Sequence, residues 1–205
     1  VKRRLHLYAR FERFWHWAQA LLVLALFVTG FEIHGTFSWL GFERAVKVHD
    51  YLALTLLILV IFAIFWHFTT GAWRQYLPTR DNLGAMVRYY VGGIFRNEPH
   101  PTKKTELSKL NPLQRITYGA LKLLVFPVQI GSGLLYFFYD KLPGWGISLQ
   151  LGTIAFVHTA ATYVLLSFVI AHVYLTTTGH RPTTNLKAMI VGWEEVEDDE
   201  AESVR

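Results

Sequence analysis

The chain of 205 residues contains no cysteine at all. That excludes disulfides, thiolate iron–sulfur ligation and covalent c-type haem attachment within it. Charge is sparse too. Asp, Glu, Lys and Arg make up 17% of residues, against the ~25% of a soluble domain. Carboxylates are nearly missing from the long apolar runs, where Asp50 stands near one end. What fills the chain instead is hydrophobic: 52% of residues, with 16% aromatic. A membrane protein is expected. If it carries a redox centre, histidine is the ligand left to hold it, and there are nine.

Four apolar segments are each near the ~20 residues a bilayer crossing needs. They run over roughly Phe14–Ile33, Val46–Phe68, Ile116–Phe138 and Thr153–Thr176. The first is long and shows no small-residue cleavage site, so no cleavable signal peptide is expected. Basic residues sort the connections. The N-terminal arm holds Lys2, Arg3, Arg4, Arg10 and Arg13, and eight Lys or Arg lie between Arg74 and Arg115. The other two connections hold Arg44, Lys47 and Lys141. The positive-inside rule then places both termini and the long middle loop in the cytoplasm. The net charge of +5 reflects this asymmetry and does not point to nucleic acid. The expected organisation is a transmembrane domain over residues 1–193 and an acidic, solvated cytoplasmic tail over 194–205.

A weak internal repeat is present. PTRDNLGAMV (Pro78–Val87) follows span two and PTTNLKAMI (Pro182–Ile190) follows span four, and between them they hold both methionines. Each comes shortly after a Thr-Thr-Gly, ending at Gly71 and Gly179. The pattern predicts two copies of one unit: span, span, short interfacial helix on the cytoplasmic face. Parallel repeats of this kind relate by a pseudo-twofold along the membrane normal.

Ionisable side chains inside a membrane are costly and usually functional. A single histidine on an apolar helix is commonly a hydrogen-bonded core residue; here the constellation matters. His158 and His172 lie fourteen residues apart on span four. That is ~21 Å of depth and almost four whole turns, so both rings share one face at two levels. His49 lies near the outer end of span two, as His158 does on span four. The repeat makes them near-equivalents, suited to the two axial positions of one haem. At the inner level His172 has His16 on span one. The span-three counterpart of His16 is Tyr118, so the inner site should be asymmetric. His67, eighteen residues after His49, shares its face. It is open to three readings: an inner ligand, a proton or quinone residue, or an interfacial histidine beside Trp66. The reading is an all-α, four-transmembrane-helix bundle with two b-type haems stacked across it. Gly30, Gly131 and Gly133 remove side chains where a macrocycle or a helix approaches. Pro127 is expected to kink span three. Lys122, Arg13 and Arg115 are available for haem propionates or for snorkelling.

Three stretches carry a resemblance: RFWHW at Arg13–Trp17, VHD at Val48–Asp50, and VHTAATYVLLSFVIAHVY with its fourteen-residue histidine spacing. They resemble the cytochrome b subunits of nickel–iron hydrogenase, formate dehydrogenase (gamma subunit) and thiosulfate reductase. The resemblance implies His16 with His172 as ligands of the cytoplasmic-side haem, and His49 with His158 of the other. It also implies a quinone pocket, for menaquinone or ubiquinone, beside the cytoplasmic-side haem. NPLQR at Asn111–Arg115 is similar to the formate dehydrogenase Asn-x-x-Gln-Lys, which makes Asn111 and Gln114 quinone candidates. Asn111 also suits a helix N-cap before proline.

The resemblance further implies a bacterial inner-membrane, multi-pass protein. It would carry electrons between the quinone pool and an extracytoplasmic partner, either a redox enzyme or a multihaem cytochrome c. Loops Glu32–Lys47 and Tyr139–Gly152, with Trp39 and Trp145, would face that partner. A stand-alone transmembrane haem reductase, a histidine-based metal or proton transporter and a cofactor-free anchor are the alternatives.

Overall fold

The computed structural model describes residues 2–96, 98, 101–102, 109–178 and 182–197. His100, His180, Lys103, Lys104, Gly179 and the acidic stretch beyond Glu197 lie outside the described residues.

Four helices are long and apolar enough to cross a membrane. They are α1 (Arg10–Ile33), α2 (Phe42–Thr70), span three (Pro112–Phe137) and α6 (Leu151–Thr176). Span three is α4 (Pro112–Ala120), a π turn (Leu121–Val125) and α5 (Phe126–Phe137). The π turn ends two residues before Pro127, which has no N–H to continue the helical ladder. Short helices α3 (Leu83–Val91) and α7 (Thr184–Val191) follow spans two and four, as the repeat predicts. The copies are only quasi-equivalent. Met86 is fully buried in the first, whereas Ala188 takes the buried position in the second.

Contacts group the chain into two compact units. One contains residues 1–14, 67–121 and 171–205; the other contains 15–66 and 122–170.

The first unit holds both termini and the short helices. Its ends form an antiparallel ribbon, β1 (Lys2–His6) against β2 (Trp193–Glu197). The ribbon takes in residues 194–197 of the expected tail, and the rest of it lies outside the described residues. The register sets Arg4 against Glu195 and Lys2 against Glu197. The arm then locks onto the end of α7. The Gly192 carbonyl accepts the N–H groups of Leu7 (2.9 Å) and Tyr8 (3.2 Å). Gly192 has φ 90°, and a Cβ there would stand 2.8 Å from the Tyr8 carbonyl oxygen, so only glycine fits. At the start of α1, Glu12 reaches back to accept the Ala9 N–H at 2.7 Å, half of a capping box. The same carboxylate pairs with Lys109 at 2.9 and 3.0 Å, both side chains being largely buried. The Arg13 guanidinium donates to the Ile190 carbonyl, and Arg115 to that of Leu110.

The second unit contains the greater part of all four spans. Its interior is lined by Val23, Phe27, Leu56, Ile154, Ala161 and Leu165. Outward-facing Leu21, Ile58, Phe65 and Phe156 are more than half exposed, as lipid-facing side chains are. Lys122 lies over the Trp15 ring at 5.2 Å. Glu32, 4% exposed at the end of α1, was not expected. One of its oxygens accepts the consecutive N–H groups of Trp39 (2.8 Å), Leu40 (2.5 Å) and Gly41 (2.9 Å). It thus fixes the loop between spans one and two and leaves Trp39 outside, 76% exposed. Glu32→Ala orphans three backbone donors. It is expected to destabilise the protein by roughly 2–3 kcal/mol, read as faster chymotryptic cleavage at Phe37 and Trp39.

Candidate functional site

His49 and His158 face each other in the second unit. Their ring centres are 6.4 Å apart and the ring planes cross at 74°. The sequence brought them together by depth and by repeat; the structure does so by contact.

Each imidazole is held by a hydroxyl from the preceding span. His49 Nδ1 is 2.8 Å from Thr29 Oγ1, and His158 Nδ1 is 3.0 Å from Ser132 Oγ. Both hydroxyls are buried within their helices. Thr29 Oγ1 also reaches the carbonyls of Ala25 (3.0 Å) and Leu26 (3.2 Å). Ser132 Oγ reaches those of Val128 (2.7 Å) and Gln129 (3.1 Å). Carbonyl oxygens only accept, so each hydroxyl proton goes to its own helix. A hydroxyl that donates to its own helix can accept from an Nδ1–H, the tautomer that leaves the Nε2 lone pair for a ligand bond. The Gln129 side-chain amide lies 3.1 Å from His158 Nε2 and 3.4 Å from Nδ1, and donates to Thr162 Oγ1 at 3.0 Å.

A glycine follows each hydroxyl. A Cβ on Gly30 would meet His49 Cε1 at 3.6 Å, and one on Gly133 would meet His158 Cε1 at 3.2 Å. Of the three glycines singled out in the sequence, these two admit an imidazole against the backbone. Gly131 has nothing within 4 Å. Gly133→Ala forces the His158 ring or its helix to shift and is expected to cost about 1–3 kcal/mol. Gly30→Ala meets an ordinary contact and is expected to be near neutral, its Cβ offset by better helix propensity. Thermal unfolding of the two purified variants in detergent separates them.

The hydroxyl–glycine pairs are what the sequence reading missed. Thr29-Gly30 and Ser132-Gly133 occupy matching places in spans one and three. The repeat noted at Asn82–Met86 and Asn185–Met189 was the signal that could have found them.

The remaining candidates have contacts of their own. His172 belongs to the first unit and His16 to the second. His16 has the Trp17 ring edge-on at 5.2 Å. His172 Nδ1 is 3.5 Å from the Tyr118 hydroxyl, with ring centres 6.4 Å apart. His67 is 8% exposed; its Nε2 is 3.3 Å from the Tyr76 hydroxyl and the rings are 5.5 Å apart. Burial, reinforced by Glu12, holds the Tyr76 phenol well above its usual range, so it keeps its proton. Asn111 and Gln114 close on each other in a capping box. Asn111 accepts the Gln114 backbone N–H at 2.8 Å, and Gln114 accepts that of Asn111 at 3.1 Å. Asn111 also donates to the Tyr90 hydroxyl at 3.1 Å. Burial raises the Tyr90 phenol, and this bond from Asn111 opposes the shift.

No solved structure matches the chain. A curated protein of Escherichia coli (strain K12), named "Putative cytochrome YdhU", is 29% identical over 201 residues, covering 93% of this chain and 74% of that one. Residues 7–192, which take in all four spans and every histidine discussed above, match the family described as prokaryotic cytochrome b561. The chain therefore belongs to the prokaryotic cytochrome b561 family, as a multi-pass bacterial membrane protein that binds haem b and transfers electrons.

Proposed function

We propose that the chain is a dihaem cytochrome b. It carries electrons across the membrane between the quinone pool, on the cytoplasmic side, and an extracytoplasmic redox partner. The observation that carries this reading is the facing pair His49 and His158, each with Nδ1 beside a buried hydroxyl of the preceding span.

The donor set supports haem as the occupant: two imidazoles from different spans face each other with ring centres 6.4 Å apart, and histidine is an axial ligand haem iron accepts. Haem held by these two imidazoles would supply a one-electron site whose potential its surroundings set. Gln129 would give up its contact with His158 Nε2 in that state. His16 and His172 are the second proposed pair, on the sequence argument and the resemblance.

For the quinone, His67 with Tyr76 is the stronger of the proposed candidates. A buried imidazole beside a protonated phenol can exchange a proton with a headgroup. Asn111 and Gln114 serve as a helix cap, and a headgroup role for them would be a second task for Asn111. The positive-inside asymmetry supports cytoplasmic termini. Loops Glu32–Lys47 and Tyr139–Gly152, with exposed Trp39 and Trp145, would then face the partner.

The transporter reading fares worse. A metal carrier would gather three or more donors at one point, and among the described residues no group of three His, Asp or Glu could hold a metal. Protein reconstituted in liposomes, given a quinol and a membrane-impermeant acceptor, tests the proposal. Quinol-dependent reduction of the acceptor on the far side is expected. Haem reduction only by a soluble cytoplasmic donor would favour the stand-alone reductase and contradict the quinone role.

A further inference from the structure

Two hydroxyl–glycine pairs stand in matching places on spans one and three, and each grips a histidine of the neighbouring span. We infer that Thr29 and Ser132 are positioning residues that fix the tautomer of His49 and His158 and lower the potential of the haem between them. The inference rests on the reading of those two histidines as an axial pair.

The physical reason lies in which atom owns each proton. Thr29 Oγ1 has two backbone carbonyls of its own helix within 3.2 Å, and Ser132 Oγ has two within 3.1 Å. Their protons are committed there, so each oxygen faces the imidazole as an acceptor. The contacts of 2.8 and 3.0 Å to Nδ1 fit a proton on that nitrogen. In apolar surroundings the other tautomer would set two lone pairs against each other. The arrangement therefore selects Nε2 as the ligating nitrogen before any haem arrives.

It also acts on the electronics. An imidazole that donates from Nδ1 is a more basic ligand, which favours the oxidised iron. A hydroxyl acceptor does this without burying a charge. Gly30 and Gly133 complete the device. They let each ring lie against the helix backbone, at the place where the preceding residue's hydroxyl can reach Nδ1. Span one lacks a counterpart of Gln129, since Leu26 stands in the matching place. The two hydroxyls are thus the shared feature of the two halves.

The test uses the haem-loaded full chain with Thr29→Val, Ser132→Ala and the double variant, and with Thr29→Ser as the conservative control. The readouts are haem content, redox titration of both haems, and the low-spin signals of the oxidised protein. The single variants are expected to keep their haem content. They should raise the midpoint potential of the haem that His49→Ala loses and leave the other haem unmoved. The double variant should shift it further, and Thr29→Ser should restore the original value. Unchanged potentials and signals in the double variant would overturn the inference, provided His49→Ala still loses a haem. Retention of both haems in His49→Ala would instead overturn the axial-pair reading itself. Should Thr29→Val fail to fold, Thr29→Ala, which leaves out the branched methyl, takes its place with the same expectations.

Discussion

His49→Ala is expected to halve the haem content of the purified protein and to stop electron transfer across the membrane, and His158→Ala to do the same. His49 and His158 would hold the haem iron together, so loss of either imidazole would leave the site with half of its protein ligands. The two variants should be indistinguishable in haem content, and the double variant no worse than either. Residues that act as one unit are strongly non-additive in this way. The fold should survive. Each substitution removes one half-buried imidazole with its polar contacts, to Thr29 in one case and to Ser132 and Gln129 in the other, at about 2 kcal/mol or more. Haem content, measured as the pyridine complex per polypeptide, checks the first claim. Reduction of an entrapped acceptor checks the second. A His49→Ala protein with full haem content would show that the facing rings are a packing contact only.

His172→Ala is expected to remove the other haem and leave the first in place. Both histidines belong to α6, fourteen residues apart, which is ~21 Å along a helix axis. Removal of one therefore does not disturb the other directly. Quinol oxidation should fall to background, because the proposed entry point for electrons is lost. Two controls bear on neighbours. Tyr118→Phe removes the hydroxyl 3.5 Å from His172 Nδ1 and should leave haem in place. His67→Gln should also keep both haems, since the Nε2 of His67 faces the Tyr76 hydroxyl. Its expected effect is slower quinol oxidation. Loss of a haem in His67→Gln with retention in His172→Ala would move the inner ligand from span four to span two.

The spans were legible because a bilayer crossing is a long apolar run, and nothing subtler is needed to see one. The short helices α3 and α7 were legible through the repeated Asn-Leu-x-Ala-Met. The pairing of His49 with His158 could be read because helix geometry converts spacing into depth and face. The terminal ribbon could not. Its strands pair the two ends of the chain, and each looks, in sequence, like a solvated arm. Glu32 was equally hidden: a carboxylate that accepts three backbone N–H groups leaves no pattern in the residues that donate them. Thr29 and Ser132 were hidden for another reason. A hydroxyl bonded back to its own helix hardly alters an apolar run, so only alignment of the two halves exposes it. Asn111 carried two readings from sequence alone, and the structure displays the capping one in full.

The central claim is that the bundle holds two haems, each between two histidines. The most direct test is the haem content of the purified chain, quantified as the pyridine complex, together with its reduced-minus-oxidised spectrum. The account predicts two b-type haems per chain with low-spin bands and no high-spin component. One haem per chain, or a five-coordinate high-spin signal, would contradict it.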